Sequence, residues 1–163
     1  MSEQTSSGVM AGKRGLIMGV ANDRSIGWGI ASKLAEHGAE LAFTFQGEAL
    51  QKRVIPLAES VGSTLVLPGD VTDEASVDAV FDRLKSEWGE LDFVLHAIAY
   101  SDKEELKGGY VDTSRDNFQR TMDISVYSFT EITRKATAMM KDGGSLLTLT
   151  YYGAERVMPH YNV

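Results

Sequence analysis

Short apolar runs alternate along this chain with longer segments whose apolar residues recur at helical spacing. The apolar runs predict strands at about residues 13–18, 41–45, 64–67, 91–96 and 146–149. The segments between them predict helices, because their apolar residues repeat every three or four positions. Strands and helices that alternate with short connections are typical of parallel βαβ units. The pattern therefore predicts an α/β fold with a Rossmann-type, doubly wound parallel sheet.

The predicted helices differ in how clearly their ends are marked. The first covers about residues 26–37 and stops at Gly38, which is a suitable C-terminal cap. Pro56 makes the middle of the second helix uncertain, because proline lacks a backbone N–H. A capping-type start at Thr72 opens the third helix. The fourth is predicted as one long helix over about residues 115–140.

A glycine-rich turn follows the first predicted strand and leads directly into the first helix. It runs from Gly19 to Ile30, and its glycines would let the backbone approach a ligand closely. The N-terminus of the following helix offers free N–H groups to a phosphate. Such a turn is weak evidence when it stands alone. It predicts a dinucleotide site only if the ends of the other strands also supply suitable groups.

The ends of the other predicted strands do supply such groups. Ser25 and Ile26 would face the pyrophosphate, and Gln46 would bind a ribose 2′-hydroxyl. Asp70 and Val71 suit the adenine, and Ile98 would pack near the nicotinamide. Gln46 offers no charge to a 2′-phosphate, so NADH is favoured over NADPH, although Lys52 and Arg53 lie nearby in sequence.

Several of these residues have simpler interpretations. Asp70 could serve only as a turn or cap residue, and His96 is more simply a core histidine with satisfied ring nitrogens. Tyr151 and Tyr161 could donate a hydrogen bond to a substrate carbonyl beside a nicotinamide. They could equally be packing tyrosines, and the periodicity of the sequence does not distinguish the two.

Composition narrows the class of protein. The chain has 163 residues and a formal net charge of −7, which argues against a general nucleic-acid or membrane-surface binder. It has no cysteine, which excludes disulfides, zinc thiolates and cysteine nucleophiles, and we expect no metal site. Residues 1–12 predict a flexible N-terminal tail before one NAD-binding domain over residues 13–163. We expect no signal peptide and no membrane span, and hence a cytoplasmic protein.

Five segments together resemble the bacterial NADH-dependent enoyl-[acyl-carrier-protein] reductases, a divergent family of the short-chain dehydrogenase/reductase superfamily. The resemblance extends from about residue 13 to residue 163, and the last segment is its most specific part. The segments are Gly19-x5-Ser25-Ile26-Gly27-x-Gly29, Phe45-Gln46, Gly69-Asp70-Val71, His96-Ala97-Ile98-Ala99 and Tyr151-Tyr152-Gly153-Ala154-Glu155-Arg156-x2-Pro159-x-Tyr161-Asn162-Val163.

The resemblance implies reduction of the trans-2 double bond of an enoyl thioester on acyl carrier protein, with NADH as cofactor, in fatty-acid biosynthesis. Tyr161 matches the tyrosine that hydrogen-bonds the thioester oxygen, and Tyr151 matches a second tyrosine of the site. Ser101 matches a substrate contact. Gly19, together with the predicted cofactor residues named above, matches the family's cofactor contacts. The resemblance also implies a homotetramer.

One departure from the family pattern concerns the active-site lysine, which lies seven residues after the tyrosine matched by Tyr161, whereas this sequence stops at Val163. We therefore expect an N-terminal portion of the enzyme, truncated before the C-terminal strands and inactive by itself. Two alternatives remain open. One is a carbonyl reductase of the same superfamily, and the other is a non-catalytic nucleotide-binding fragment.

Overall fold

Five parallel strands form a single sheet in the computed structural model, which describes residues 8–163. The strands are β1 (Arg14–Met18), β2 (Glu40–Phe45), β3 (Leu65–Pro68), β4 (Phe93–His96) and β5 (Ser145–Thr148). Their spatial order is β3-β2-β1-β4-β5. The order reverses direction between β1 and β4, as in a doubly wound sheet, so the predicted Rossmann-type fold is confirmed. The first seven residues of the expected tail lie outside the described part of the chain.

Five α-helices cover the two faces of this sheet. They are α1 (Ile26–Glu36), α2 (Gly47–Ser60), α3 (Glu74–Glu87), α4 (Arg115–Met122) and α5 (Ser128–Thr137). A π-helical turn, Asp123–Tyr127, joins α4 to α5. Short 3-10 helices lie at Lys103–Leu106, Tyr110–Asp112 and Tyr152–Ala154.

Both faces of the sheet are buried, because successive residues of a strand point to opposite sides. Leu16 of β1 belongs to a cluster with residues of α3 and α5, such as Leu84 and Ile132. Its neighbour Ile17 belongs to the other cluster, which includes Val54 of α2. The central strands therefore carry unbroken apolar runs, as is usual in parallel sheets covered by helices.

The structure refines three of the predicted helices. The prediction of one long α-helix over residues 115–140 is wrong in two respects, because a π-helical turn interrupts the α-helical repeat and α5 ends at Thr137. Pro56 lies within α2 without ending it, on an exposed side of the helix. The predicted capping start of α3 at Thr72 is off by one residue, because the N-cap is Asp73, whose Oδ1 accepts from the N–H of Ala75 at 3.0 Å.

Residues 8–12 pack against the end of α1, although the sequence assigns them to the tail. The N–H of Met10 donates to the carbonyl of His37 at 3.0 Å, and Met10 packs on the cluster that contains Ile17. Within residues 8–163, no helix is both long and apolar enough to cross a bilayer.

Candidate cofactor cleft

A cleft of about 240 Å³ opens at the carboxyl edge of the sheet. It lies where β1 and β4 are neighbours and their connections run to opposite faces, which is where open α/β sheets bind ligands. The predicted cofactor residues Gly19, Gln46, Asp70, Val71 and Ile98 all line it. The structure thus brings together residues from the ends of four strands.

Gly19 lets two chain segments approach each other at the floor of the cleft. Its φ is +90°, a region that side chains disfavour, and a Cβ at this position would lie 2.1 Å from the carbonyl oxygen of Ala97. The segments that follow β1 and β4 therefore meet backbone to backbone. Gly19 is required for this close approach at the edge of the cleft.

Ser25 and Ile26 occupy the start of α1 but are not among the residues that line the cleft. The Ser25 hydroxyl donates to the carbonyl of Asn22 at 2.7 Å, so it tightens the glycine turn. Ser25 makes no side-chain cap, so the first N–H groups of α1 remain available to an anion. The side chain of Ile26 is 68% exposed and lies in a shallow apolar groove with Val9 and Met10. The predicted role of Ile26 is therefore limited to its backbone.

Gln46 and Asp70 form a hydrogen-bonded pair across the ends of β2 and β3. The Gln46 amide donates to Oδ2 of Asp70 at 2.7 Å. Oδ1 of Asp70 accepts from the N–H of Thr72 at 2.9 Å and from its hydroxyl at 2.7 Å. Partial burial raises the pKa of Asp70, but the hydrogen bonds from Thr72 and Gln46 outweigh it and leave the pKa below its ordinary value. Asp70 is thus both a turn residue and an ionised group beside Gln46.

Two lining residues could not be assigned to the site from the sequence. Thr72 holds Asp70 in place, and its spacing of two residues from an Asp is the signal of an Asx turn. Ile124 also lines the cleft, from within the π-helical turn. A π-helical turn interrupts the helical repeat without any sequence signal, so no pattern in the sequence could place Ile124 in the cleft.

The two candidate tyrosines lie together but outside the cleft. The ring centroids of Tyr151 and Tyr161 are 5.4 Å apart, and the two residues are 51% and 54% exposed. The next residue, Asn162, donates from its amide to the carbonyls of Glu105 and Lys107 at 3.1 and 3.3 Å. The tyrosine segment is therefore docked on the loop that follows β4.

Ser101 lies on the same loop and is held by a buried asparagine of α4. Nδ2 of Asn117 donates to the Ser101 hydroxyl at 3.2 Å, and Oδ1 of Asn117 accepts from the N–H of Asp102 at 2.9 Å. The hydroxyl hydrogen of Ser101 therefore remains free to be donated elsewhere. Among the described residues, no group of three His, Asp or Glu side chains is arranged to hold a metal ion.

The sequence profile of the family described as Enoyl-(Acyl carrier protein) reductase matches residues 19–163. The chain belongs to this family. A relative from Rhizobium meliloti (strain 1021), enoyl-[acyl-carrier-protein] reductase [NADH] 1, is 66% identical over 158 residues, which make up 97% of this chain and 58% of the relative. The predicted resemblance is thereby confirmed.

Solved structures of family members have the same fold as this chain. FabI from Candidatus Liberibacter asiaticus is 55% identical with a TM-score of 0.93, over 95% of this chain and 60% of that one. The reductase from Anaplasma phagocytophilum, solved in complex with NAD, is 58% identical with a TM-score of 0.92, over 96% of this chain and 60% of that one. The chain thus spans about three fifths of the length of the relatives it matches.

Proposed function

We propose that this chain forms the cofactor-binding part of an NADH-dependent enoyl-[acyl-carrier-protein] reductase. The observation that carries the proposal is the cleft between the ends of β1 and β4, where the order of the strands reverses. Gly19, Gln46, Asp70 and Ile98 meet there, in a chain of the reductase family. When bound, NADH supplies the hydride for the β-carbon of an enoyl thioester. The relative from Rhizobium meliloti is named for this cofactor and substrate class.

The residues of the cleft fit an extended dinucleotide. Gly19 lets the segments after β1 and β4 meet beside the cleft, and the uncapped N–H groups of α1 would face a pyrophosphate favourably. Val71 and Ile98 are half-buried and pack on the core, so they offer rigid apolar surfaces for flat rings. The cleft therefore offers both polar groups and apolar walls to a dinucleotide.

The charge beside Gln46 supports NADH over NADPH. Asp70 has a lowered pKa and lies 2.7 Å from the Gln46 amide, so a 2′-phosphate held by Gln46 would meet a fixed negative charge. A ribose hydroxyl can instead donate to the Gln46 carbonyl or to the carboxylate. Lys52 and Arg53 are exposed residues of α2 that do not line the cleft.

The tyrosines and Ser101 are proposed to act on the substrate. Tyr161 would donate to the thioester oxygen as negative charge develops there, and Tyr151 would assist proton delivery. Their 5.4 Å separation supports a shared site. Ser101 would contact the substrate with its free hydroxyl hydrogen.

We further propose a cytoplasmic homotetramer. Apolar side chains remain exposed along α4 and the π-helical turn, where two subunits could pack together. These are Phe118, Met122, Val126 and Tyr127, with exposures of 42%, 40%, 51% and 57%. Analytical ultracentrifugation of the protein that contains these residues tests the tetramer. A single monomeric species at micromolar concentration would contradict it.

The function is tested in two steps. Fluorescence titration of this chain with NADH and NADPH measures the cofactor preference, and we expect tighter binding of NADH. Asp70→Asn should reduce the preference, whereas Asp73→Asn, which alters a carboxylate outside the cleft, should not.

The oxidation of NADH by crotonyl thioester is then measured with the full-length protein that includes these residues. Activity only on a β-ketoacyl thioester would identify a carbonyl reductase instead.

A further inference from the structure

His96 is a fully buried histidine at the end of β4, and none of the roles described above uses it. Its Nε2 lies 2.8 Å from the hydroxyl of Ser128, and its Nδ1 lies 3.3 Å from the hydroxyl of Thr148. The ring packs against Phe129 with the centroids 5.4 Å apart. Both ring nitrogens are therefore partnered inside the protein.

The hydrogen bonds of Ser128 determine which nitrogen carries the hydrogen. The Ser128 hydroxyl donates its only hydrogen to the carbonyl of Ile124 at 2.6 Å. It must therefore accept from His96, which places the hydrogen on Nε2. Burial lowers the pKa of His96, so the ring is neutral at pH 7 and its Nδ1 accepts from Thr148.

The three elements joined by this ring all lead into the proposed site. His96 immediately precedes Ala97 and Ile98, which line the cleft. Ser128 follows the π-helical turn that carries Ile124, which also lines the cleft. Thr148 ends β5, three residues before Tyr151. One imidazole thus joins two segments that line the cleft and the strand that leads to a candidate tyrosine.

We propose that His96 is a positioning residue of the cofactor cleft. Its neutral imidazole, with the hydrogen on Nε2, holds the end of β4 in register with the π-helical turn and with the end of β5. The proposal rests on the proposed NADH site, because its consequence is the spacing of residues that would contact the cofactor.

The tautomer can be measured directly in this chain. Long-range 1H–15N correlation spectra should show three imidazoles, one for each histidine of the sequence. The signals lost in His96→Gln identify His96. We expect a pyrrole-type Nε2 and a pyridine-type Nδ1 at pH 7. A hydrogen on Nδ1, or a cationic ring, would overturn the proposed hydrogen-bond arrangement.

The positioning role is tested by NADH affinity, measured where every variant remains folded by circular dichroism. His96→Leu removes both hydrogen bonds and should raise the Kd for NADH about tenfold, since two bonds of ordinary strength are lost. His96→Gln can still donate to Ser128, so it should restore part of the affinity. Leu84→Ala is the control, because Leu84 is equally buried but belongs to α3 and does not line the cleft. Its Kd should stay within about twofold of the wild type.

Milder variants keep the test decisive if His96→Leu does not fold. Ser128→Ala and Thr148→Val each remove one partner of the ring, and each should raise the Kd about threefold. Thr137→Val is the matched control for Thr148→Val, because the Thr137 hydroxyl bonds only within its own helix. If the wild type binds NADH and all of these variants bind equally well, the positioning role is wrong and the cofactor site stands. If the wild type binds no NADH, both proposals are wrong.

Discussion

Gly19 shows how one backbone position shapes the cleft. Its φ is +90°, and a Cβ added there would lie only 2.1 Å from the Ala97 carbonyl oxygen, so no space remains for a side chain. Any larger residue must strain the backbone and separate the segments after β1 and β4. The requirement for glycine here is therefore geometric, whether or not a ligand is bound.

Gly19→Ala should lower the free energy of unfolding by at least about 2 kcal/mol, through backbone strain and the contact with Ala97. Gly29→Ala is the matched control. Gly29 lies in α1 with no atom near its Cβ position, so alanine there should stabilise the chain by about 0.5–1 kcal/mol. Urea denaturation measures both changes. Equal stability of the two variants would contradict the strain assigned to Gly19.

His96 makes stability depend on pH near neutrality. Its pKa lies below the ordinary 6.5 in the folded chain, because burial disfavours the cation. As the pH falls through about 6.5, the unfolded chain binds a proton that the folded chain does not. The contribution of His96 is therefore complete above this pH and decreases below it, until the folded-state pKa is reached.

The advantage of wild type over His96→Gln in unfolding free energy should shrink as the pH is lowered from about 7.5 to about 5.5. Urea denaturation at several pH values measures it. Asp70 and Asp92 have lowered pKa values, so they change the free energy of unfolding in a separate range, below about pH 4. An advantage that stays constant or grows on acidification would contradict the neutral, buried state of His96.

At the scale of single elements, two helical segments differ from what the local sequence predicts. Pro56 cannot donate to the carbonyl four residues earlier, yet α2 continues through it because Val54 and Ala58 are fully buried against the sheet. The π-helical turn between α4 and α5 widens the helix without breaking it. It places Ile124 in the cleft and leaves Ser128 within reach of His96.

Pro56→Ala should raise the free energy of unfolding by about 1–2 kcal/mol. Alanine restores a helical hydrogen bond and removes the clash of the ring, while the unfolded chain gains some flexibility. Lys52→Ala, another exposed substitution in α2, should change stability by less than about 0.5 kcal/mol. Urea denaturation compares the two. A loss of stability in Pro56→Ala would show that α2 depends on the proline.

A charge cluster also joins two elements. Lys135 of α5 hydrogen-bonds Asp78 of α3, and its Nζ lies 3.5 Å from the buried carboxylate of Glu131. The hydrogen bond from Asp78 raises the pKa of Lys135. The pairing orients α5 against α3 and thereby fixes the helix that starts at Ser128.

At the scale of the whole molecule, the cleft is assembled from distant parts of the chain. Its residues run from Gly19 to Ile124, and they meet only when β1, β2, β3 and β4 are aligned in parallel. Binding of a ligand across these elements must therefore stabilise the folded sheet as a unit.

NADH should raise the melting temperature of the chain in a concentration-dependent way. At a free concentration a hundred times its Kd, the linkage adds about 2.7 kcal/mol to the stability. NADPH at the same concentration should raise it less, because of the charge on Asp70. Differential scanning fluorimetry measures both shifts. Equal shifts with the two cofactors would contradict the proposed discrimination.

The sequence by itself determined the alternation of strands and helices, the parallel sheet and most of the cleft. Buried strands need apolar runs and surface helices need periodic ones, so both leave a local record. Gly19, Gln46, Asp70, Val71 and Ile98 could be predicted because strand ends converge at one edge of such a sheet.

Only the tertiary structure decided the π-helical turn, the outward direction of the Ile26 side chain and the two hydrogen bonds of the His96 ring. Each of these depends on which groups meet across the fold, and such contacts leave no periodic signal in the sequence. The same holds for the glycine turn after β1. Its glycines are visible in the sequence, but the carbonyl that Gly19 must avoid belongs to the loop that leaves β4, far along the chain.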